Sequence, residues 1–190
     1  MSALGDALRS LAHVIDGRGL GWFVFGAQAV AVRGAPRATQ DVDVTVQVDP
    51  GQLDELVADL ESEGLRHRYP ELADELLATG SVIPLVHPSG MEIDLIVAGS
   101  GLEALALSRA TRATIDGVVV PVARATDLVV MKVLAGRGKD LEDVRALIAG
   151  GEVDTAEVRD LLGQLEAALG QSDLLPAFQA ALDDAGDEPR

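Results

Sequence analysis

Two aspartates on one strand are the side chains best placed to do chemistry in this chain. Asp41 and Asp43 stand in the segment DVDVTV, in which valines alternate with polar residues. Because successive strand side chains point to opposite faces, the two carboxylates share a face, about 6 to 7 Å apart. Carboxylates beside a buried face usually lie at the surface, pair with a cation or coordinate a metal. The alternative is a structural role, in which the two aspartates lie on the exposed face of an edge strand and pair with Arg33 or Arg37.

A third carboxylate, Asp94, stands in the apolar segment MEIDLIV. If the two strands are neighbours in a sheet, Asp41, Asp43 and Asp94 converge at one end of that sheet. Three carboxylates without histidine or cysteine favour Mg²⁺ or Mn²⁺ over zinc, because hard cations prefer oxygen ligands. Magnesium usually completes its shell with water and substrate phosphates, so the set points to a nucleotide and to in-line phosphoryl or nucleotidyl transfer.

A glycine lies just before the first pair. Gly26 ends the apolar run WFVF and opens an alanine-rich segment. A glycine between a strand and a helix lets the backbone approach a phosphate, and the start of the helix offers free N–H donors. Taken alone, such a glycine is more often a structural turn.

Hydrophobic periodicity supplies the elements that would position these residues. Alternation and short apolar runs predict strands at 22–25, 42–48, 81–87, 91–97 and 118–123, and the turn signal PSG makes the third and fourth an antiparallel hairpin. Apolar residues at helical spacing predict helices at 3–16 and 27–34, after Asp49, at 71–78, and, from Thr126 onward, helices alone, including 154–169 and 172–184. The tail after residue 184 is predicted to be frayed.

Composition removes several function classes. The 190 residues contain no cysteine, and His13, His67 and His87 lack ligand spacing, so disulfides, thiolate nucleophiles and a histidine metal site are not expected. A net charge of -16 argues against binding nucleic acid over the whole surface. No apolar run reaches the length of a membrane span, and a secretory signal is not recognisable, which predicts a soluble cytoplasmic protein without a membrane partner.

The ordered motifs resemble a known family. The segment FGAQAVAVRGAPRATQDVDV resembles the first motif of the nucleotidyltransferase superfamily, a glycine, a small residue and then an Asp-x-Asp strand. It is most similar to the small bacterial AbiEii-like and MNT-like nucleotidyltransferases, in which an arginine and a threonine precede the aspartates. The segment MKVLAGRGKDLEDVRAL resembles a later AbiEii-like motif, and Asp94 matches the third carboxylate of the family. Together the matches span residues 22–148.

The resemblance implies an α+β fold and a set of roles. It implies a mixed β-sheet flanked by helices, which we divide into a core at residues 1–124 and a C-terminal helical region packed on it at residues 125–190. Asp41 and Asp43 would bind Mg²⁺ or Mn²⁺, while Asp94 would bind metal or act as a base toward the acceptor. The implied catalytic set is Asp41, Asp43, Asp94 and Lys132, and the set implied to bind the NTP is Gly26, Ala27, Arg37, Thr39, Arg137 and Lys139.

Three functions follow from the resemblance and stay open at this point. The first is metal-dependent transfer of a nucleotidyl group from an NTP to a tRNA end, a protein hydroxyl or a small molecule, including a toxin-type enzyme with a cognate antitoxin. The second is a nucleotide-binding or antitoxin-like module without turnover, suggested by Ala27, where the family usually has glycine or serine. The third is an aminoglycoside-type enzyme, since an acidic surface suits a cationic acceptor.

Overall fold

The computed structural model of the chain describes residues 2–35, 39–79 and 82–187. The chain divides into two compact units, Met1–Gln28 with Ala38–Ala123, and Ala29–Arg37 with Arg124–Arg190. The predicted division into residues 1–124 and 125–190 stays a prediction.

The first unit is built on a mixed sheet. Within the described residues seven strands pair in the order β3-β4-β5-β2-β1-β7-β6. Their bounds are β1 Trp22–Phe25, β2 Asp41–Val46, β3 Arg66–His67, β4 Val82–Val86, β5 Glu92–Val97, β6 Thr111–Ile115 and β7 Val118–Val122. Strand β2 runs antiparallel to β1 and parallel to β5, and β4 and β5 form the predicted antiparallel hairpin.

Helices surround this sheet in the first unit. They are α1 Ala3–Gly17, α3 Leu53–Ser62, α4 Ala73–Thr79 and α5 Gly101–Arg109, while the boundary between the units falls inside α2 Gly26–Val32. The apolar stripe of α1 and the valines of β2 are buried, as the helical and alternating patterns require. Ser2 caps α1 by accepting a hydrogen bond from the Gly5 N–H at 3.1 Å.

The second unit is helical over its described residues. Helix α6 Ala125–Ala135 is nearly all buried and ends at Gly136, whose φ of 63° supplies the left-handed turn that stops it. Helices α7 Gly138–Ala149, α8 Thr155–Leu169 and α9 Leu174–Asp187 follow. The mixed sheet with flanking helices and the C-terminal helices confirm the predicted α+β class.

Some elements differ from the sequence-based prediction. Strands β3 and β6 and helix α5 were not predicted, and the tail predicted to fray after residue 184 is helical as far as Asp187. The hairpin β6–β7 turns at Asp116 and Gly117, both with positive φ, and an Asp-Gly pair is a strong hairpin signal. That signal could have revealed β6. In the part of the chain that the structure describes, no helix is long and apolar enough to cross a membrane.

Candidate active site

The paired carboxylates lie side by side on two parallel strands. In the register between β2 and β5, Asp43 is opposite Asp94 and Asp41 is opposite Glu92. Adjacent strands lie about 4.8 Å apart, so the backbones of Asp43 and Asp94 are direct neighbours. The expectation that these strands are sheet neighbours is confirmed, and it brings the three predicted carboxylates onto one face of the sheet.

Alternation along both strands explains why these carboxylates escape burial. Val42 and Val44 on β2, and Ile93 and Leu95 on β5, are completely buried on the opposite face. The intervening acidic side chains therefore point to the other face, where they are half-buried or exposed. A slip of one residue in either strand would bury the carboxylates and expose the core residues.

Gly26 packs directly against Asp43. It has a φ of 63°, and a Cβ added to it would lie 1.8 Å from Oδ2 of Asp43. The carboxylate therefore rests on the backbone at the point where β1 passes into α2, and only glycine leaves room for it. Ala27, the next residue, is buried.

Thr39 is hydrogen-bonded to Asp41. Its hydroxyl donates a hydrogen bond to Oδ1 of Asp41, and the side-chain amide of Gln28 approaches the Asp41 carbonyl oxygen at 3.5 Å. These contacts orient Asp41 at the start of β2. Arg37, predicted to contact the NTP, lies outside the described residues.

An arginine that the sequence analysis did not single out engages the third carboxylate. Arg68 donates from Nη1 to Glu92 and from Nη2 to Asp94, and its Cζ lies 5.8 Å from the centroid of the Tyr69 ring. Its Nε is buried and has no hydrogen-bond partner among the described residues. Arg68 lies in residues 65–80, where neither the helical nor the strand period is clear, so no local signal marked it.

Lys132 belongs to a buried ionic cluster in the second unit. Its Nζ lies 2.8 Å from Oδ1 of Asp140 and 2.8 Å from Oδ2 of Asp143, and all three residues are buried. Burial alone raises the pKa of Asp140, but hydrogen bonds from Arg137 and Lys132 outweigh it and hold that pKa below its usual value. The cluster joins the end of α6 to the start of α7.

Two further residues predicted to bind the NTP lie beside this cluster in the chain. The exposed Arg137 donates to Asp140 from its Nε, and Lys139 is exposed at the start of α7. Within the second unit the structure thus joins Lys132 and Arg137 through Asp140. In the first unit it joins Gly26, Thr39, Asp41, Asp43 and Asp94, together with the unpredicted Arg68.

The first-unit carboxylates suit a hard divalent cation in their chemistry. Asp41 and Asp43 share one face, and magnesium is commonly bound through one or two carboxylates together with water and substrate phosphates. Asp94 is held by Arg68. Over the described ranges, no three histidine, aspartate or glutamate side chains are arranged together to hold a metal ion. The carboxylate oxygens of Asp41 and Asp43 therefore fit magnesium in their chemistry, while Asp94 is ion-paired with Arg68 in this structure.

Comparison with known families identifies the class of protein. Residues 7–174 match the family described as "Nucleotidyltransferase of unknown function (DUF6036)". The chain belongs to this nucleotidyltransferase family. The predicted superfamily and enzyme class are thereby confirmed, and Asp41, Asp43 and Asp94 all fall inside the matched range. Among curated proteins, none matches the chain in sequence.

Solved nucleotidyltransferase structures share the fold. The solution structure of the antibiotic-resistance factor ANT(2'')-Ia is similar with a TM-score of 0.54 and 17% identity, over 90% of this chain and 97% of that chain. The crystal structure of ANT(2'')-Ia with adenylyl-2''-tobramycin gives a TM-score of 0.56 and 16% identity, over 85% and 96%. Lincomycin-bound LnuA, a lincosamide antibiotic adenylyltransferase, gives 0.48 and 13%, over 74% and 94%. At these identities the two ANT(2'')-Ia structures show a likeness of fold alone.

Proposed function

We propose that this nucleotidyltransferase transfers a nucleotidyl group from an Mg²⁺-bound NTP to a hydroxyl acceptor at the β2–β5 face. The observation that carries the proposal is the parallel register that sets Asp43 beside Asp94, with the Asp43 carboxylate seated on Gly26. Carboxylates held at fixed positions on rigid strands are what metal-dependent phosphoryl chemistry requires.

The chemistry divides among the residues of this face. The acceptor oxygen attacks the α-phosphorus, a new P–O bond forms, the bond to the β-phosphate oxygen breaks, and pyrophosphate leaves. Asp41 and Asp43 would hold the metal, and Asp94 would bind the metal as well or take the proton of the acceptor hydroxyl. Thr39 fixes Asp41 through its hydrogen bond. A bound Mg²⁺ would supply charge neutralisation for the phosphates.

The remaining predicted contacts to the nucleotide belong to this proposal as well. In it, the triphosphate would lie against Gly26 and Ala27. Its charge would be neutralised by basic residues, namely Arg37, Lys132, Arg137 and Lys139. The buried partners of Lys132 favour an internal ion pair instead. The AbiEii-like subgroup, a toxin role with a cognate antitoxin, and a cytoplasmic location are equally proposals. The motif order around Asp41 and Asp94 supports the subgroup and the toxin role.

A cationic small molecule is the second candidate acceptor. The chain carries a net charge of -16, and the exposed Glu92 stands beside Asp41 on the candidate face. A negative surface attracts a cationic acceptor and repels a polyanion such as tRNA. ANT(2'')-Ia, which shares the fold, was solved with adenylyl-2''-tobramycin.

Labelled NTPs test the proposal and separate the acceptors. Each of the common NTPs is offered with Mg²⁺ to total tRNA, to aminoglycosides, and to the protein alone, and both the labelled acceptor and released pyrophosphate are measured. Asp43→Asn and Asp94→Asn should each lower transfer by about a thousandfold, that is about 4 kcal/mol in the barrier. Asp49→Asn, which neutralises an exposed aspartate just beyond β2, should leave transfer unchanged.

Two outcomes would count against turnover at this face. Transfer that survives Asp43→Asn and Asp94→Asn would place the chemistry elsewhere. Calorimetric NTP binding without any pyrophosphate release, over hours and with every acceptor pool, would favour the nucleotide-binding module instead. Label in the tRNA pool alone would reject the cationic small molecule as acceptor.

A further inference from the structure

Arg68 is ion-paired with Asp94, a carboxylate that a metal at this face would also bind. Its guanidinium bridges Glu92 and Asp94, while Asp43 stands directly beside Asp94 in the strand register. A guanidinium and a divalent metal are alternative cationic partners for one carboxylate. The arrangement therefore raises the question of which cation Asp94 holds, and when.

Pairing within the sheet fixes the position of the Arg68 backbone. Its N–H donates to the Pro84 carbonyl at 2.9 Å, extending the pairing of the short edge strand β3 beyond His67. Pro84 is in turn opposite Asp94 in the β4–β5 register. The side chain thus reaches across β4 from the edge of the sheet, and its carboxylate partners lie on the central neighbour β5.

The Arg68 pair is also incompletely satisfied. In the part of the chain that the structure describes, the buried Nε has no hydrogen-bond partner, and a buried donor without a partner carries a desolvation cost that the other contacts must offset. Two partners other than Asp94 are available to the same guanidinium, the exposed Glu92 and the Tyr69 ring. Loss of the Asp94 contact would leave Arg68 with an ion pair and a cation–π contact.

We propose that Arg68 is a competing cation that holds Asp94 until a divalent metal displaces it. With a metal bound, Arg68 would lose its contact with Asp94 and keep its contacts with Glu92 and the Tyr69 ring. Asp94 would then be available to the metal beside Asp43. This inference rests on the proposed function, because it concerns the same carboxylates. Arg68 acts here as a positioning residue through Asp94, and its presence lowers the affinity of the site for metal.

Manganese binding to the nucleotide-free full chain tests this inference without measuring turnover. Free and bound Mn²⁺ are counted by electron paramagnetic resonance in a titration of wild type and Arg68→Met, in which methionine keeps an apolar stem without charge. Arg68→Met should bind Mn²⁺ about tenfold more tightly, because a charged hydrogen bond no longer competes for Asp94. Arg66→Met is the matched control, since Arg66 is exposed and forms no ion pair with any described residue.

The same substitutions made in an Asp94→Asn protein separate competition for Asp94 from a general effect of charge. In Asp94→Asn, the additional change Arg68→Met should alter Mn²⁺ affinity no more than Arg66→Met does, because the shared carboxylate is gone. An equal gain from Arg68→Met with and without Asp94 would overturn the proposal. If Arg68→Met does not fold, Arg68→Lys keeps the charge without the two-pronged geometry and should give a smaller gain.

The outcomes distinguish this inference from the proposed function. Mn²⁺ binding in wild type that Asp43→Asn removes and Arg68→Met leaves unchanged would retain the metal site and overturn the role of Arg68. Absence of Mn²⁺ binding in wild type and in Arg68→Met, with and without NTP, would overturn both. Binding that appears or tightens only in Arg68→Met supports the competition.

Discussion

Two ionic clusters of the described chain, those of Arg68 and Lys132, each place one cation between two carboxylates, in very different surroundings. Arg68 is 17% exposed, and its partners Glu92 and Asp94 are 51% and 31% exposed. Lys132 is 8% exposed, and its partners Asp140 and Asp143 are 0% and 4% exposed. Removing one member of a buried set leaves an uncompensated charge, whereas water can solvate the members of an exposed set.

The difference indicates which set can exchange partners. The ammonium of Lys132 lies 2.8 Å from each of two carboxylate oxygens, and all three side chains are buried. An incoming ligand could reach it only by opening this buried cluster. Arg68 has one N–H donor without a partner in residues 2–35, 39–79 and 82–187, and its partner Glu92 is open to solvent. We therefore expect changes in the Lys132 cluster to act on stability, and changes on the Arg68 face to act on metal binding and transfer.

The largest effect on stability is expected from a substitution that breaks the buried cluster. Lys132→Met should lower the free energy of unfolding by about 3 to 5 kcal/mol, because Asp140 and Asp143 lose their shared cation. Urea unfolding at pH 7 measures the loss. Lys139→Met, which removes an exposed lysine from the same region, should change it by less than about 0.5 kcal/mol.

A compensated variant shows whether unpaired charge causes the loss. Adding Asp140→Asn and Asp143→Asn to Lys132→Met should recover a large part of the lost stability, since no carboxylate remains uncompensated. A Lys132→Met protein of normal stability whose KM for NTP rises would show instead that Lys132 binds the triphosphate, as the sequence predicted.

A smaller effect is expected where the backbone supports Asp43. Gly26→Ala places a Cβ against the Asp43 carboxylate and an alanine at a φ of 63°, so Asp43 must move and the backbone is strained. Left-handed backbone costs about 1 to 2 kcal/mol for a residue with a Cβ. We expect that loss of stability, together with a fall in transfer of about a hundredfold, about 2.7 kcal/mol in the barrier.

Gly19→Ala is the matched control for this substitution. Gly19 has a φ of 67°, and a Cβ there meets nothing within 4 Å. It should therefore show the loss of stability and keep normal transfer. Equal transfer in the two variants would mean that the contact between Gly26 and Asp43 does not matter for the chemistry.

Much of the carboxylate face was predictable because its signals are local. The alternation in β2 and the PSG turn between β4 and β5 indicate which side chains of each strand share a face, whereas the pairing of β2 with β5 that sets Asp43 beside Asp94 was a condition and not a local signal. Arg68 could not be predicted in this way, because its contact to Asp94 spans 26 residues and depends on the order of three strands. Lys132 carried a family motif, but sequence spacing could not reveal that its partners are buried acids.

The smallest expected effect concerns Arg137, whose side chain is 62% exposed while it contacts the buried Asp140. Arg137→Ala should cost less than about 1 kcal/mol of stability at pH 7, as for other exposed ion pairs. The pKa of Asp140 is held below its usual value, so its contribution to stability is present above about pH 4 and is lost as pH falls through the lowered pKa. Without Arg137 that pKa rises toward its usual value. The stability difference between wild type and Arg137→Ala should therefore vanish in acid.

Urea unfolding of both proteins from pH 7 to pH 2, well below the usual pKa of an aspartate, measures this convergence. Lys139→Ala, which removes a neighbouring exposed charge, should show a small difference that does not follow the titration of Asp140. A constant difference for Arg137→Ala at every pH would show that the Asp140 contact contributes nothing. If the KM for NTP also rises in Arg137→Ala, Arg137 contacts the nucleotide in addition to Asp140, and the division between a stabilising cluster and a reactive face would then not hold for this residue.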